Sequence, residues 1–113
     1  MPEKKETVVK EDKHEVIIVI VNEGFSEIVM NAARESGARG GTIAHARGTG
    51  TKEIEQKYGV IITPQKEMIY ILVNASIRDA VLASINKAAG IETKGQGICF
   101  SLPVSNVSGL KFE

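Results

Sequence analysis

The chemistry this chain offers is the holding of an anion. The stretch Gly37-Ala-Arg-Gly-Gly-Thr-Ile-Ala-His-Ala-Arg-Gly-Thr-Gly-Thr51 carries two glycine clusters around a short β-like run. Gly37, Gly40 and Gly41 can end a helix and turn the chain, because glycine tolerates positive φ. Gly48 and Gly50 open a loop. Glycines let the backbone approach a ligand and leave N–H groups to face negative charge. A second turn, Gly90-Ile-Glu-Thr-Lys-Gly-Gln-Gly97, begins with the spacing of a phosphate-binding P-loop. Gln96-Gly97 replaces the Lys-Ser/Thr that such a loop requires, so it is no Walker loop. Taken alone it reads as a plain helix-to-strand turn. With Lys94 beside it, and with Lys66 at the far end of the Gly48 loop, the two turns read as the walls of one cleft in an oligomer, supplied with the positive charge that phosphates need.

No catalytic constellation accompanies them. His14 and His45 are the only histidines, and no spaced carboxylate or cysteine completes a site around either. A packed or interface histidine outweighs a ligand or base at His45. No nucleophile–base–acid set or metal-ligand cluster is spelled out. Cys99, between Ile98 and Phe100, reads as a small buried hydrophobe. It is also the only cysteine, which excludes an internal disulfide and a cysteine-rich zinc site.

The elements that must position these residues follow from hydrophobic pattern. At 113 residues the chain reads as one domain. Fourteen basic residues balance fourteen acidic ones, so no net field draws it to nucleic acid or an anionic membrane. Its charged N-terminus has no apolar signal region, and the expected setting is cytoplasmic. Residues 1–14 read as a flexible tail and 15–113 as the domain. Glu15–Val21 reads as a strand with both faces covered, being β-branched almost throughout. Phe25, Ile28, Val29, Ala32 and Ala33 recur at helical spacing, and Thr42–Arg47 reads as the second strand. The stretch 48–66 reads as one long loop, with Lys52–Tyr58 able to form a helical turn. Loops beyond about 12–15 residues in a compact domain are usually functional or disordered. Mobility when a site is empty, and order when it is filled, is the expectation here. Met68–Val73 is the third strand. Asn74-Ala-Ser76 starts a second helix, with Ser76 and Asp79 at capping-box spacing and Ile77, Ala80, Val81, Ser84, Ile85 and Ala88 on its buried stripe. Gly97–Leu102 is the fourth strand, stopped by Pro103.

The order is that of an α+β, ferredoxin-like βαββαβ sandwich: an antiparallel four-stranded sheet with two helices on one face. Two helices cover one face only. The continuous apolar strands then call for further copies of the chain against the other, which predicts a homo-oligomer.

At this point the residues become familiar. Arg39-Gly-Gly-Thr-Ile-Ala-His-Ala-Arg-Gly-Thr-Gly50, the long loop, and Pro64-x-Lys66 before an apolar strand resemble the P-II nitrogen-regulatory signal-transduction family. Gly95-Gln-Gly97, Phe100, Ser101, Pro103 and Val104 resemble its second nucleotide-binding loop and last strand. The resemblance spans roughly residues 15–107. It implies a homotrimer with adenine nucleotides in clefts between subunits. It also implies a mobile loop (48–66) that docks onto a target transporter or enzyme. Thr42, Gly48, Thr49 and Gly50 then fall at the loop-side approach to the nucleotide. Lys66 falls on a phosphate-facing lysine, and Gly95, Gln96 and Gly97 on the phosphate-binding turn. Lys111 replaces one of the family's two C-terminal arginines.

The departures point to the ligand. The lysine expected after the second turn is Ile98, the other arginine is Gly109, and the loop glutamine that supports Mg-ATP and 2-oxoglutarate is Lys52. Each lost cation removes a charge-assisted hydrogen bond of about 1.5–3 kcal/mol. ADP, AMP or another small anion is expected over strict sensing of ATP and 2-oxoglutarate, and no cofactor is required. Tyr58 lies near the family's loop tyrosine, but the shorter loop argues against carrying its modification over. Two alternatives stand beside this reading: a ligand-independent oligomeric interaction protein, and a metal-responsive trimer of similar fold. An enzyme is not expected.

Overall fold

The computed structural model describes residues 13–61 and 63–110. The expectations for residues 1–12 and for Lys111 lie outside that range. The elements run β1 (His14–Asn22), α1 (Ser26–Glu35), β2 (Thr42–Arg47), α2 (Lys52–Tyr58), β3 (Gln65–Asn74), a 3-10 turn (Ala75–Ile77), α3 (Arg78–Ala89) and β4 (Ile98–Val104). The four strands form one sheet in the order β2-β3-β1-β4, with every neighbouring pair antiparallel. That is the ferredoxin-like arrangement. Its α1 and α3 pack together on one face.

Alternation, hidden in the sequence by an unbroken apolar run, reappears in burial. Ile17, Val19 and Val21 of β1 and Ile69, Ile71 and Val73 of β3 are buried. They meet Val29, Met30 and Ala33 of α1 and Val81, Ile85 and Ala89 of α3 in one core. The intervening residues point to the other face, since successive strand residues alternate sides. The registers Val16–Leu72 and Val16–Leu102, Ile18–Tyr70 and Ile18–Phe100, and Ile20–Met68 and Ile20–Ile98 place nine apolar side chains there in three rows. Tyr70, Ile98, Phe100 and Leu102 remain 38–52% exposed. Among the described residues no element of the chain covers this face.

Several details correct the expected elements. His14 is already in β1, which begins one residue before the strand start expected at Glu15. Ile28 faces solvent, and Met30 is buried with Val29, Ala32 and Ala33. Ser76 caps nothing: Asn74 Oδ1 accepts from Ser76 N at 2.9 Å and sets a 3-10 turn, so α3 begins at Arg78. Ala80 is exposed and Ala89 buried accordingly. Asp79 bonds the Arg78 side chain instead of a backbone amide. Pro103 does not stop β4, which continues to Val104 with Pro103 opposite Glu15. Proline's missing N–H is tolerated because β4 is an edge strand. The stretch 48–66 is not all loop, because β3 starts at Gln65 and Lys66 lies within the sheet. Inside it, α2 is closed at both ends by its own residues. Thr51 Oγ1 accepts from Ile54 N, and Gly59 takes φ 67 at the C-terminus. None of its residues is buried.

Candidate functional site

The antiparallel topology brings both glycine turns to the same end of the sheet. β1 ends there at Asn22 and β2 at Arg47, while β3 starts there at Gln65 and β4 at Ile98. Gly48 and Gly97 thus flank β3 and β1, about 14 Å apart by three strand spacings. The gap between them is bridged by side chains of the two central strands. Lys66 Nζ donates to Asn22 Oδ1 at 2.7 Å. Asn22 Nδ2 donates in turn to Lys94 O at 2.9 Å and lies 3.4 Å from Gln96 Oε1. The backbone adds Asn22 N to Gly95 O at 2.9 Å. Within one protomer this hydrogen-bonded chain links the start of β3 to the turn before β4.

On the loop side, Gly48 N donates to Pro64 O at 2.7 Å and closes the base of the segment between β2 and β3. A Cβ at Gly48 would stand 3.3 Å from both Lys66 Cε and Pro64 Cγ. The missing side chain is what lets the Lys66 stem pass beneath the closure. Thr49 is exposed and Gly50 half-buried in the strand-free stretch that follows. Thr42 is not brought to this group. It opens β2 opposite Tyr70, whereas Lys66 faces Ala46, four residues further along the strand.

The turn side departs from expectation. Glycine amides were expected to stand free for an anion. Instead Gly95 N donates to Thr93 Oγ1 at 3.2 Å, Gln96 N to Thr93 O at 3.0 Å, and Gly97 N to Ala89 O at 2.8 Å. Gly97 is glycine for packing: a Cβ there would meet Ala89 O at 2.5 Å and Val21 Cγ1 at 2.7 Å. Gln96 holds φ 47, which turns its side chain outward. The donors this end presents are therefore side chains, Lys66 and the exposed Lys94.

Two residues that the sequence reading missed hold the site in place. For Asn22 the available signal is a polar residue that closes an apolar run two positions before a glycine. Glu67, next to Lys66, points to the opposite face and is buried. Its Oε1 accepts from Gly24 N at 3.3 Å and Ser26 N at 3.1 Å, which fixes the start of α1 against β3. Gly24 sits at φ 97, a conformation open to glycine at little cost. Hydrogen bonds to a charged group contribute about 1.5–3 kcal/mol, so Glu67→Leu is expected to lower urea stability by at least that, and Glu67→Gln by less.

The remaining candidates do not build a reaction centre. His45 lies opposite Glu67 on the edge strand β2 and is exposed, so it is not packed within the protomer. Cys99 is half-buried against Leu82 O, and burial pushes its thiol pKa up, away from the reactive thiolate. Arg78, at the far end of the sheet, is held charged by Asp79 and Glu15, each 2.9 Å away. Among the described residues no group of three or more His, Cys, Asp or Glu side chains can hold a metal. No described helix is long and apolar enough to cross a membrane.

The family model described as nitrogen regulatory protein P-II matches residues 6–113. No curated protein sequence matches the chain significantly. Among solved structures, a Bacillus cereus protein related to NIF3 superposes with TM-score 0.67 at 18% identity. It covers 84% of this chain, which spans only 26% of that protein's length. The GlnK–ATP complex of Bacillus subtilis superposes with TM-score 0.66 at 16% identity, covering 85% of this chain and 87% of its own. Arabidopsis thaliana PII bound to citrate gives TM-score 0.62 at 26% identity, covering 85% and 79%.

Proposed function

Because the chain belongs to the nitrogen regulatory protein P-II family, we propose that it is a cytoplasmic regulatory trimer and not an enzyme. An adenine nucleotide or related small anion is taken at clefts between protomers, and the segment after Gly48 reports its presence to a target transporter or enzyme. The single observation that carries this reading is the hydrogen-bonded chain from Lys66 through Asn22 to Lys94 and Gln96. It ties the base of the segment to the turn, so a ligand that competes for Lys66 acts on both. Lys66, Lys94, Gly48 and Gln96 line this end. Thr42, at the other end of β2, enters a cleft only from a neighbouring protomer, and Thr49, Gly50, Gly95, Gly97 and Lys111 complete the nucleotide set proposed on family grounds. Two relatives are described with multiply charged anions, ATP in one and citrate in the other, which supports an anionic ligand. Ile98, Gly109 and Lys52, where the family pattern has polar or cationic residues, favour ADP or AMP over ATP with 2-oxoglutarate.

A second reading has one observation in its favour. The satisfied amides of Gly95, Gln96 and Gly97 offer an anion no free backbone donor, as a ligand-independent interaction protein would allow. Calorimetry of the purified protein against AMP, ADP, ATP and cyclic dinucleotides separates the two. Saturable heat with ADP or AMP at micromolar to millimolar concentration is expected. No heat from any of them leaves the interaction protein.

A further inference from the structure

Asn22 ties two segments, the Gly90–Gly97 turn and β3, with three different polar atoms. Its N–H donates to Gly95 O at 2.9 Å, its Nδ2 to Lys94 O at 2.9 Å, and its Oδ1 accepts from Lys66 Nζ at 2.7 Å. Any residue other than proline supplies the first bond. The other two need a side chain with both a donor and an acceptor, which a short carboxamide provides. Beyond Asn22, the Lys66 stem runs under Gly48, whose N–H closes on Pro64 O. One amide side chain therefore connects the turn to the floor of the loop base.

The charge at this junction is uncompensated. Among the described residues no carboxylate stands within ion-pair distance of Lys66; Glu15 and Asp79 pair with Arg78 at the far end of the sheet. The adjacent Glu67 faces the other side of the sheet and is occupied by Gly24 N and Ser26 N. An ammonium held by one neutral oxygen keeps its charge available, and a phosphate or carboxylate forms the stronger, charge-assisted bond.

We propose that Asn22 is the positioning residue that couples anion capture to the loop base and, by being neutral, makes the site select anions. The inference rests on the reading of this end as the anion site. An anion draws Lys66 Nζ from Asn22 Oδ1, the stem shifts beneath Gly48, and the Gly48–Pro64 closure loses its floor, so the base of the segment loosens on capture, the reverse of the ordering expected from the sequence. A carboxylate at position 22 would keep Lys66 in place as an ion pair and repel the ligand.

The test uses the full chain with Asn22→Ala, Asn22→Asp and Lys66→Met, each checked for a cooperative melt, with Asn22→Ser replacing the alanine variant if that one fails to fold. In ligand-free protein, trypsin cleavage after Lys52 and Lys57 is followed by mass spectrometry. Asn22→Ala and Lys66→Met are expected to be cut faster than the wild type by about three-fold or more, and Asn22→Asp at the wild-type rate. Calorimetry with ADP is expected to show Asn22→Asp weaker by about ten-fold or more, because a like charge faces the ligand. Equal cleavage of Asn22→Ala and wild type overturns the coupling. Unchanged ADP affinity in Asn22→Asp overturns the selection by charge. Wild-type protein that takes no ADP removes the anion site and the selection with it, while the cleavage comparison alone still decides the coupling.

Discussion

Replacement of Lys66 by methionine is expected to weaken ADP binding about ten- to one-hundred-fold while leaving the fold intact. Lys66 is the cation that the sheet delivers to the junction of the two turns, and its partner there is a neutral amide. A phosphate would exchange that amide for a charge-assisted bond of about 1.5–3 kcal/mol, and each 1.4 kcal/mol is about a factor of ten in affinity. Methionine keeps most of the stem that lies beneath Gly48, so the variant removes the ammonium together with its bond to Asn22 and leaves the packing of the stem in place. Lys94→Met removes an exposed cation and is expected to lower affinity by only a few-fold. Calorimetry reads both. Wild-type affinity in Lys66→Met would exclude this lysine from the ligand site.

The second large effect is expected on assembly. Ile18→Asp is expected to turn the proposed oligomer into a monomer, with a sedimentation coefficient to match. Ile18 sits in the middle row of the open sheet face, between Tyr70 and Phe100. Nine apolar side chains in three rows form a continuous patch of the kind that marks an interface, not isolated exposed residues. In the free monomer an aspartate there is solvated and costs little. Against another copy it is buried without a partner, at a cost of several kcal/mol per subunit. Phe100→Ala is expected to weaken assembly without abolishing it. A wild-type protein that sediments as a monomer at micromolar concentration would end the proposal of shared clefts.

Much of the architecture was legible because hydrophobic pattern and glycine position act locally. Val16–Val21 and Met68–Val73 can hardly be other than strands. Gly37, at φ 109, ends α1 where a helix-terminal glycine belongs. The exact faces were less legible. Ile28 and Met30 flank Val29 at about 100° on either side, and only the packing of α1 onto the core decides which of them is buried. Pro103 reads as a stop unless β4 is known to be an edge, which depends on strand order and not on its neighbours in sequence. Lys66 reads as the end of a loop unless its pairing with Asn22 and Ala46 is known.

The candidate site divides along the same line. Residue types alone marked Gly48, Lys66 and the Gly95–Gly97 turn, because glycine and lysine announce close approach and positive charge wherever they stand. Their mutual arrangement could not be read, since it depends on contacts between residues more than forty positions apart, Lys66 with Asn22 and Asn22 with Lys94. The amides of the turn answer to nearer neighbours. Which N–H groups are free is decided by whether Thr93 and Ala89 reach them, and folding brings both within hydrogen-bond distance. Order and composition were enough for the βαββαβ fold, whose causes lie within each segment. The chain's three-dimensional closure alone made a side-chain junction of Asn22 and Lys66, because hydrogen bonds across a sheet join residues by register and not by succession.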